Sequence, residues 1–245
     1  MSMLKIKIII LSLLEMKSVT VLKILSVLLI ILSVALMIIN PQKEQNLSEG
    51  FFTPIVAFEF IKTPAEVAHF FEVKHVYAYK SKMLLGNAVD YAFMLVYSLL
   101  LFGVSRYFNA IRKSAVFRIA SVLCLLMLLG DALENMQIYQ IIQAEATTNI
   151  STNLYLLNIF TWLKWASIAS VFGLFATYYF RQNDLLSMLC GSAGIVSLIL
   201  AVVAFLLQNG LWYELFALSV VCNFLLTVIY IFTRKRALQK LLNKK

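Results

Sequence analysis

Asp90, Asp131, Glu134 and Lys164 each fall inside a long run of apolar residues. An unpaired charge near the middle of a membrane-spanning helix costs roughly 3 kcal/mol on insertion scales. Such residues therefore either pair with one another or do work. Helical spacing sorts their neighbours onto faces: Asn87, Asp90, Met94 and Tyr97 form one stripe; Asp131, Glu134 and Asn135 form another; Thr161 lies beside Lys164. Depth brings these stripes together. At 1.5 Å of rise per residue, Asp90 lies about 9 Å inside the outer hydrocarbon boundary, Lys164 about 13–15 Å, and Asp131 roughly one turn. Glu134 and Asn135 fall about at that boundary, where contact with head groups is the simpler reading. The sequence predicts a polar pocket between the second, third and fourth spans, open to the outside. Asp90, Tyr97, Asp131, Glu134, Asn135, Thr161 and Lys164 are its candidate residues. In it Lys164 pairs with Asp131 or Asp90, and the remaining acid is hydrated, protonated or functional. A fold-specifying ion pair accounts for the same residues and stays open.

The elements that must carry these residues are membrane helices. Of the 245 residues, 62% are apolar and 13% charged, and mean hydropathy is +0.87. That composition excludes a soluble globular enzyme. Six runs are long enough to span a bilayer: Thr20 to Ile39, Leu84 to Val104, Ala115 to about Met136, Leu154 to Phe180, Leu185 to Leu207, and Trp212 to Thr233. The fold class predicted is all-α, a polytopic six-span protein with both termini cytoplasmic. Residues 1–39 form the cytoplasmic N-terminus and first anchor, with residues 1–18 open to an interfacial helix. Residues 40–83 form an extracytoplasmic loop, 84–233 a five-helix bundle, and 234–245 a basic cytoplasmic tail. Orientation rests on Lys and Arg, which collect at the N-terminus, between Arg106 and Arg118, at Arg181 and in the tail. The excess of 21 basic over 12 acidic residues is thus a topology signal. It argues for anionic lipid at the tail and against nucleic acid. The expected location is the cell membrane.

The outer loop carries one specific helix signal. Thr63-Pro64-Ala65-Glu66 is a capping box with Pro at the first helical position. The helix that follows, to about Val73, places Val67, Phe70, Phe71 and Lys74 on one side, and should lie on the membrane surface or cap the bundle. His69 and His75 with Glu66 and Glu72 read as a solvated face rather than a metal site. Cys124, Cys190 and Cys222 are odd in number and lie in apolar runs, as fillers of helix packing. Hydrolase, zinc-protease, nucleotide and dinucleotide motifs are absent. No metal and no cofactor is expected.

Taken in order, Phe58-Glu59, Thr63-Pro-Ala-Glu66, Asp90-x-x-Phe93-x-x-x-Tyr97, Asp131-x-x-Glu134-Asn135 and Lys164 resemble a set of uncharacterised bacterial multi-pass membrane proteins. The resemblance covers about residues 55–170 and implies no particular activity. Three function classes stay open. A small-solute or proton-coupled carrier leads, with Asp90 and Asp131 titrating against Lys164. A non-catalytic accessory or immunity-type subunit, bound to a protein partner or a second copy of the chain, comes next. A membrane enzyme acting on a lipid-linked substrate ranks last, for want of a nucleophile or metal signature.

Overall fold

A computed structural model describes residues 3–40, 46–145 and 147–233, with side chains from residue 19 onward. The basic tail and most of the N-terminal lysine side chains lie outside the described residues. Eight helices occur in the order α1 (Met3–Ile39), α2 (Pro54–Glu59), α3 (Pro64–Phe70), α4 (Val76–Arg112), α5 (Ala115–Gln143), α6 (Ser151–Tyr179), α7 (Leu185–Leu207) and α8 (Gly210–Thr233). Six of them are long and apolar enough to cross a membrane, and the chain is an integral, multi-pass membrane protein. Residues 3–18 continue α1 without a break, so no separate interfacial helix precedes the first span.

The spans pack as a ring. Each lies against the next, α1 on α4, then α4 through α8 in chain order, while α8 and α1 meet only lightly. Short connections enforce this neighbourhood. Between α4 and α5 stand Lys113, in the left-handed region at φ 48°, and Ser114, which caps α5. Between α6 and α7, Asp184 accepts from Ser187 N and Oγ at 3.0 and 2.9 Å. Between α7 and α8, Gln208 at φ 49° turns the chain, and Asn209 Oδ1 accepts from Trp212 N. All of these caps satisfy backbone groups that a helix end leaves open.

The far end of the ring, away from α2 and α3, is filled by aromatic rings. Phe108 stacks on Tyr178 at 3.9 Å and meets Phe117, Phe175 and Tyr179 edge-on. The other end is filled by α2 and α3. The capping box of α3 forms as its sequence signature predicts, with Thr63 Oγ1 accepting from Glu66 N and the Glu66 carboxylate accepting from Thr63 N. Phe70 is buried against Phe58 and Tyr79, at 5.0 and 5.8 Å between ring centroids. The helix therefore caps the bundle. His69 and Glu72 pair with each other on its exposed side, and among the described residues no group of His, Cys, Asp and Glu could hold a metal.

Helix α2 is the element that sequence reading passed over, although Pro54 opens it and its apolar residues are continuous. Six residues form no stable helix alone. Here both ends are pinned from other helices. Thr53 supplies no side-chain cap; instead Glu214 of α8 accepts from Phe52 N, Thr53 N and Thr53 Oγ1 at 2.9, 2.6 and 2.8 Å. At the other end Phe60 stacks on Tyr213 at 3.8 Å, and Glu59 reaches into α6.

The spans are also longer than their hydropathy suggests. Helix α4 begins two turns before Leu84, and α5 runs two turns beyond Met136. These extensions carry Tyr79, Met83, Ile138, Ile141 and Ile142, which with Phe58, Val67 and Phe70 form a second core above the main one. Protein covers these turns, so their polar residues need not end the helix.

Candidate functional site

The site is built on three antiparallel helices and on α2. Helix α5 meets α6 closely at Gly130, where a Cβ would stand 2.9 Å from the backbone nitrogen of Lys164. The missing side chain lets the next turn of α5 reach across. Glu134 Oε2 lies 2.6 Å from Lys164 Nζ, and Asp131 Oδ1 lies 3.6 Å from it. From α2, Glu59 Oε1 accepts from Lys164 Nζ at 3.0 Å. Thus one ammonium faces three carboxylates, with Lys164 6%, Asp131 2% and Glu134 0% exposed.

Neutral donors complete the cluster. Thr161 Oγ1 donates to Glu134 Oε1 at 3.0 Å and also approaches the Glu59 carbonyl at 3.2 Å. Trp165 Nε1 donates to Glu59 Oε2 at 2.8 Å, and its ring lies 5.2 Å from Lys164 Nζ. The Tyr97 hydroxyl donates to Asp131 Oδ2. Asn135 Nδ2 donates to Asp90 Oδ2 at 2.7 Å, and Asn87 Nδ2 donates to the Asn135 carbonyl at 3.0 Å. The residues predicted from spacing fall in two neighbouring groups, Tyr97, Asp131, Glu134, Thr161 and Lys164 in one and Asp90 with Asn135 in the other.

The pairing within it differs from expectation in three respects. Lys164 reaches Asp131, as predicted, but Glu134 and Glu59 are nearer, and no ion pair joins it to Asp90. Glu134 and Asn135 are buried inside the bundle rather than turned out to head groups, and α5 runs on to Gln143, about 14 Å beyond Glu134 at 1.5 Å per residue. Glu59 belongs to the cluster, although it lies in the loop by sequence. The signal that could have found it is a lone acid within the apolar run Phe51 to Ile61. A carboxylate in such a run needs a buried partner, and Lys164 was the one intramembrane cation.

Electrostatically the site is unbalanced. Glu59, Asp131 and Glu134 face a single lysine, and the half-buried Asp90 borders the same cavity. Burial raises the Glu59 carboxyl above its ordinary range, and this outweighs the pull of Lys164 and the hydrogen bonds from Lys164 and Trp165. Lys164 balances one of the three buried carboxylates, and two further negative charges so deeply buried would cost several kcal/mol each. The excess must be met by protons or by a cation.

A cavity of about 750 Å³ touches this network. Its walls differ from the pocket expected between α4, α5 and α6. They come chiefly from α1, α2, α4 and α8, with Asp131, Lys164 and Trp165 behind them. No family model matches the chain, nor does any curated protein or solved structure.

Proposed function

We propose that the protein is a proton-coupled carrier of a small solute in the cell membrane. Both termini are cytoplasmic in this reading, and the acidic cavity faces outward. The observation that carries it is the surplus of carboxylates around Lys164 in the wall of a 750 Å³ cavity. A structural ion pair needs one acid for one base. Here two further buried charges must be neutralised, and Asp90 and Asp131 both border the cavity where protons and solute can exchange. The volume falls in the range of small-molecule sites. The motifs shared with uncharacterised bacterial multi-pass proteins supply the same cluster and belong to the same reading.

Reconstitution tests it. Liposomes holding the protein and a pH-sensitive dye are given a proton gradient and challenged in turn with organic amines, amino acids and sugars. Proton movement that follows one solute and disappears in Asp131→Asn and Asp90→Asn is expected. Proton movement unaffected by every solute and by both variants would overturn the reading. Reporter fusions after Arg181 and after Gln143 should report cytoplasmic and external sides respectively, and the reverse would refute the orientation.

A further inference from the structure

We propose that the cavity binds a membrane-partitioned amphiphilic amine, a single aliphatic chain with a cationic head, admitted from the lipid between α1 and α8. This rests on the carrier reading of the same cavity and names its substrate class. Three observations lead to it.

The first is the open seam. The ring of spans is continuous except at α8 and α1, which meet only lightly. At the far end the seam is held by Lys23 Nζ over the Phe232 ring at 5.3 Å. Toward the other end the two helices line the cavity instead, through Leu36 and Met37 of α1 and Leu218 and Val221 of α8. Met37, Leu218 and Val221 are more than half exposed, so neither helix closes over the other along the seam. A ligand can reach the cavity from the hydrocarbon layer without passing through water.

The second is the lining. Apolar side chains make up most of it, among them Phe93 and Phe224. A sugar or an amino acid would leave its polar groups unpaired against such walls. An alkyl chain would not.

The third is the polar end. Asp131 is 2% exposed and borders the cavity, and its Oδ1 accepts no hydrogen bond. Its contact with Lys164 is the longest of the three ion pairs, because Glu134 and Glu59 hold the ammonium closer. Asp90 borders the same space, with Oδ2 bonded to Asn135. Two carboxylates with acceptor capacity to spare, in a site with surplus negative charge, complement a cationic head with N–H donors. An anionic head would add to the surplus and be rejected.

The test uses the purified full chain on scintillation beads with radiolabelled dodecylamine. Saturable binding is expected. Unlabelled dodecylamine should displace the label at least tenfold more effectively than dodecanol, and dodecanoate should not displace it. Asp131→Asn should weaken binding at least tenfold, and Asp90→Asn gives a second reading from a half-buried position. Val221→Trp narrows the seam without touching the acids and should slow association severalfold. Equal displacement by dodecanol and dodecylamine would overturn the proposal, as would binding unchanged in all three variants. Saturable amine binding with no coupled proton movement would refute the carrier reading alone. Proton-coupled uptake of a water-soluble solute by protein that does not bind dodecylamine would refute this inference alone.

Discussion

Replacing Lys164 should cost far more than replacing any one of its partners. The ammonium lies 2.6, 3.0 and 3.6 Å from Glu134, Glu59 and Asp131. Lys164→Met leaves all three carboxylates without a cation in the buried wall of the cavity. Breaking a buried pair by removing one partner costs about 3–5 kcal/mol. Protonation of the stranded acids holds the loss near that figure rather than a multiple of it. Glu134→Gln removes the nearest acid but leaves two; its amide oxygen can accept from Lys164 while its NH2 donates to Thr161 Oγ1, whose proton turns to the Glu59 carbonyl. Its cost should be about 0–1 kcal/mol, within the ordinary range for a satisfied polar replacement. The double variant Lys164→Met/Glu134→Gln should recover roughly 1–2 kcal/mol relative to Lys164→Met, because one stranded charge is gone. Reversible unfolding in mixed micelles measures each difference. At 1.4 kcal/mol per factor of ten, Lys164→Met should shift the folding equilibrium about 100-fold or more. Equal losses for Lys164→Met and Glu134→Gln would refute the surplus of acids. A neutral Lys164→Met would show that the ammonium lies in water and refute the cluster itself.

Glu214→Ala removes the carboxylate that caps α2 from α8. It should cost about 1–2 kcal/mol, as loss of a helix cap does, and raise thiol labelling of a cysteine placed at Val56; unchanged labelling would refute the docking account. Gly130→Leu drives a side chain into the Lys164 backbone and should cost about 1–3 kcal/mol through overpacking, read in the same unfolding assay, whereas a neutral outcome would refute the close approach of α5 and α6. The docking of α2 should also depend on pH. Because burial raises Glu59 above its ordinary value of 4.5, it takes up a proton on docking. Docking is therefore favoured at low pH and weakens as pH climbs from about 4.5 through the raised value. Lys164, Trp165, Thr161, Glu134 and Asp131 face that carboxylate. Amide exchange in α2 followed from pH 5 to 9 should quicken with pH beyond its intrinsic rise, and slowing instead would contradict the sign.

The six spans were legible in sequence because apolar length alone decides whether a segment can cross a bilayer. The bounds of α7 match its hydropathy, since no charge interrupts it. The bounds of α4 and α5 did not follow from hydropathy. Their outer turns are buried by α2 and α3 rather than by lipid, and protein tolerates polar residues that lipid would exclude. The same cover leaves Glu134 inside protein, where a reading by depth alone sets it against head groups. Facing stripes on α4, α5 and α6 found most of the site, because helical period and antiparallel order fix which side chains meet. Glu59 and Glu214 were out of reach of that logic. Each acts across more than a hundred residues of chain, and α2 exists only because they hold it. The cavity walls were hidden for a related reason: they depend on how lightly α8 closes on α1, which no local pattern records.

Infrared titration of the purified protein tests the central claim most directly. With three buried carboxylates around one lysine and the Glu59 carboxyl raised by burial, a protonated-carboxyl band should persist above the ordinary carboxylate range, weaken in Glu59→Gln and shrink when dodecylamine binds. Absence of any such band in the unliganded protein, with the cluster variants spectrally identical to the parent, would mean that the acids are ionised in water and that no buried, proton-exchanging site exists.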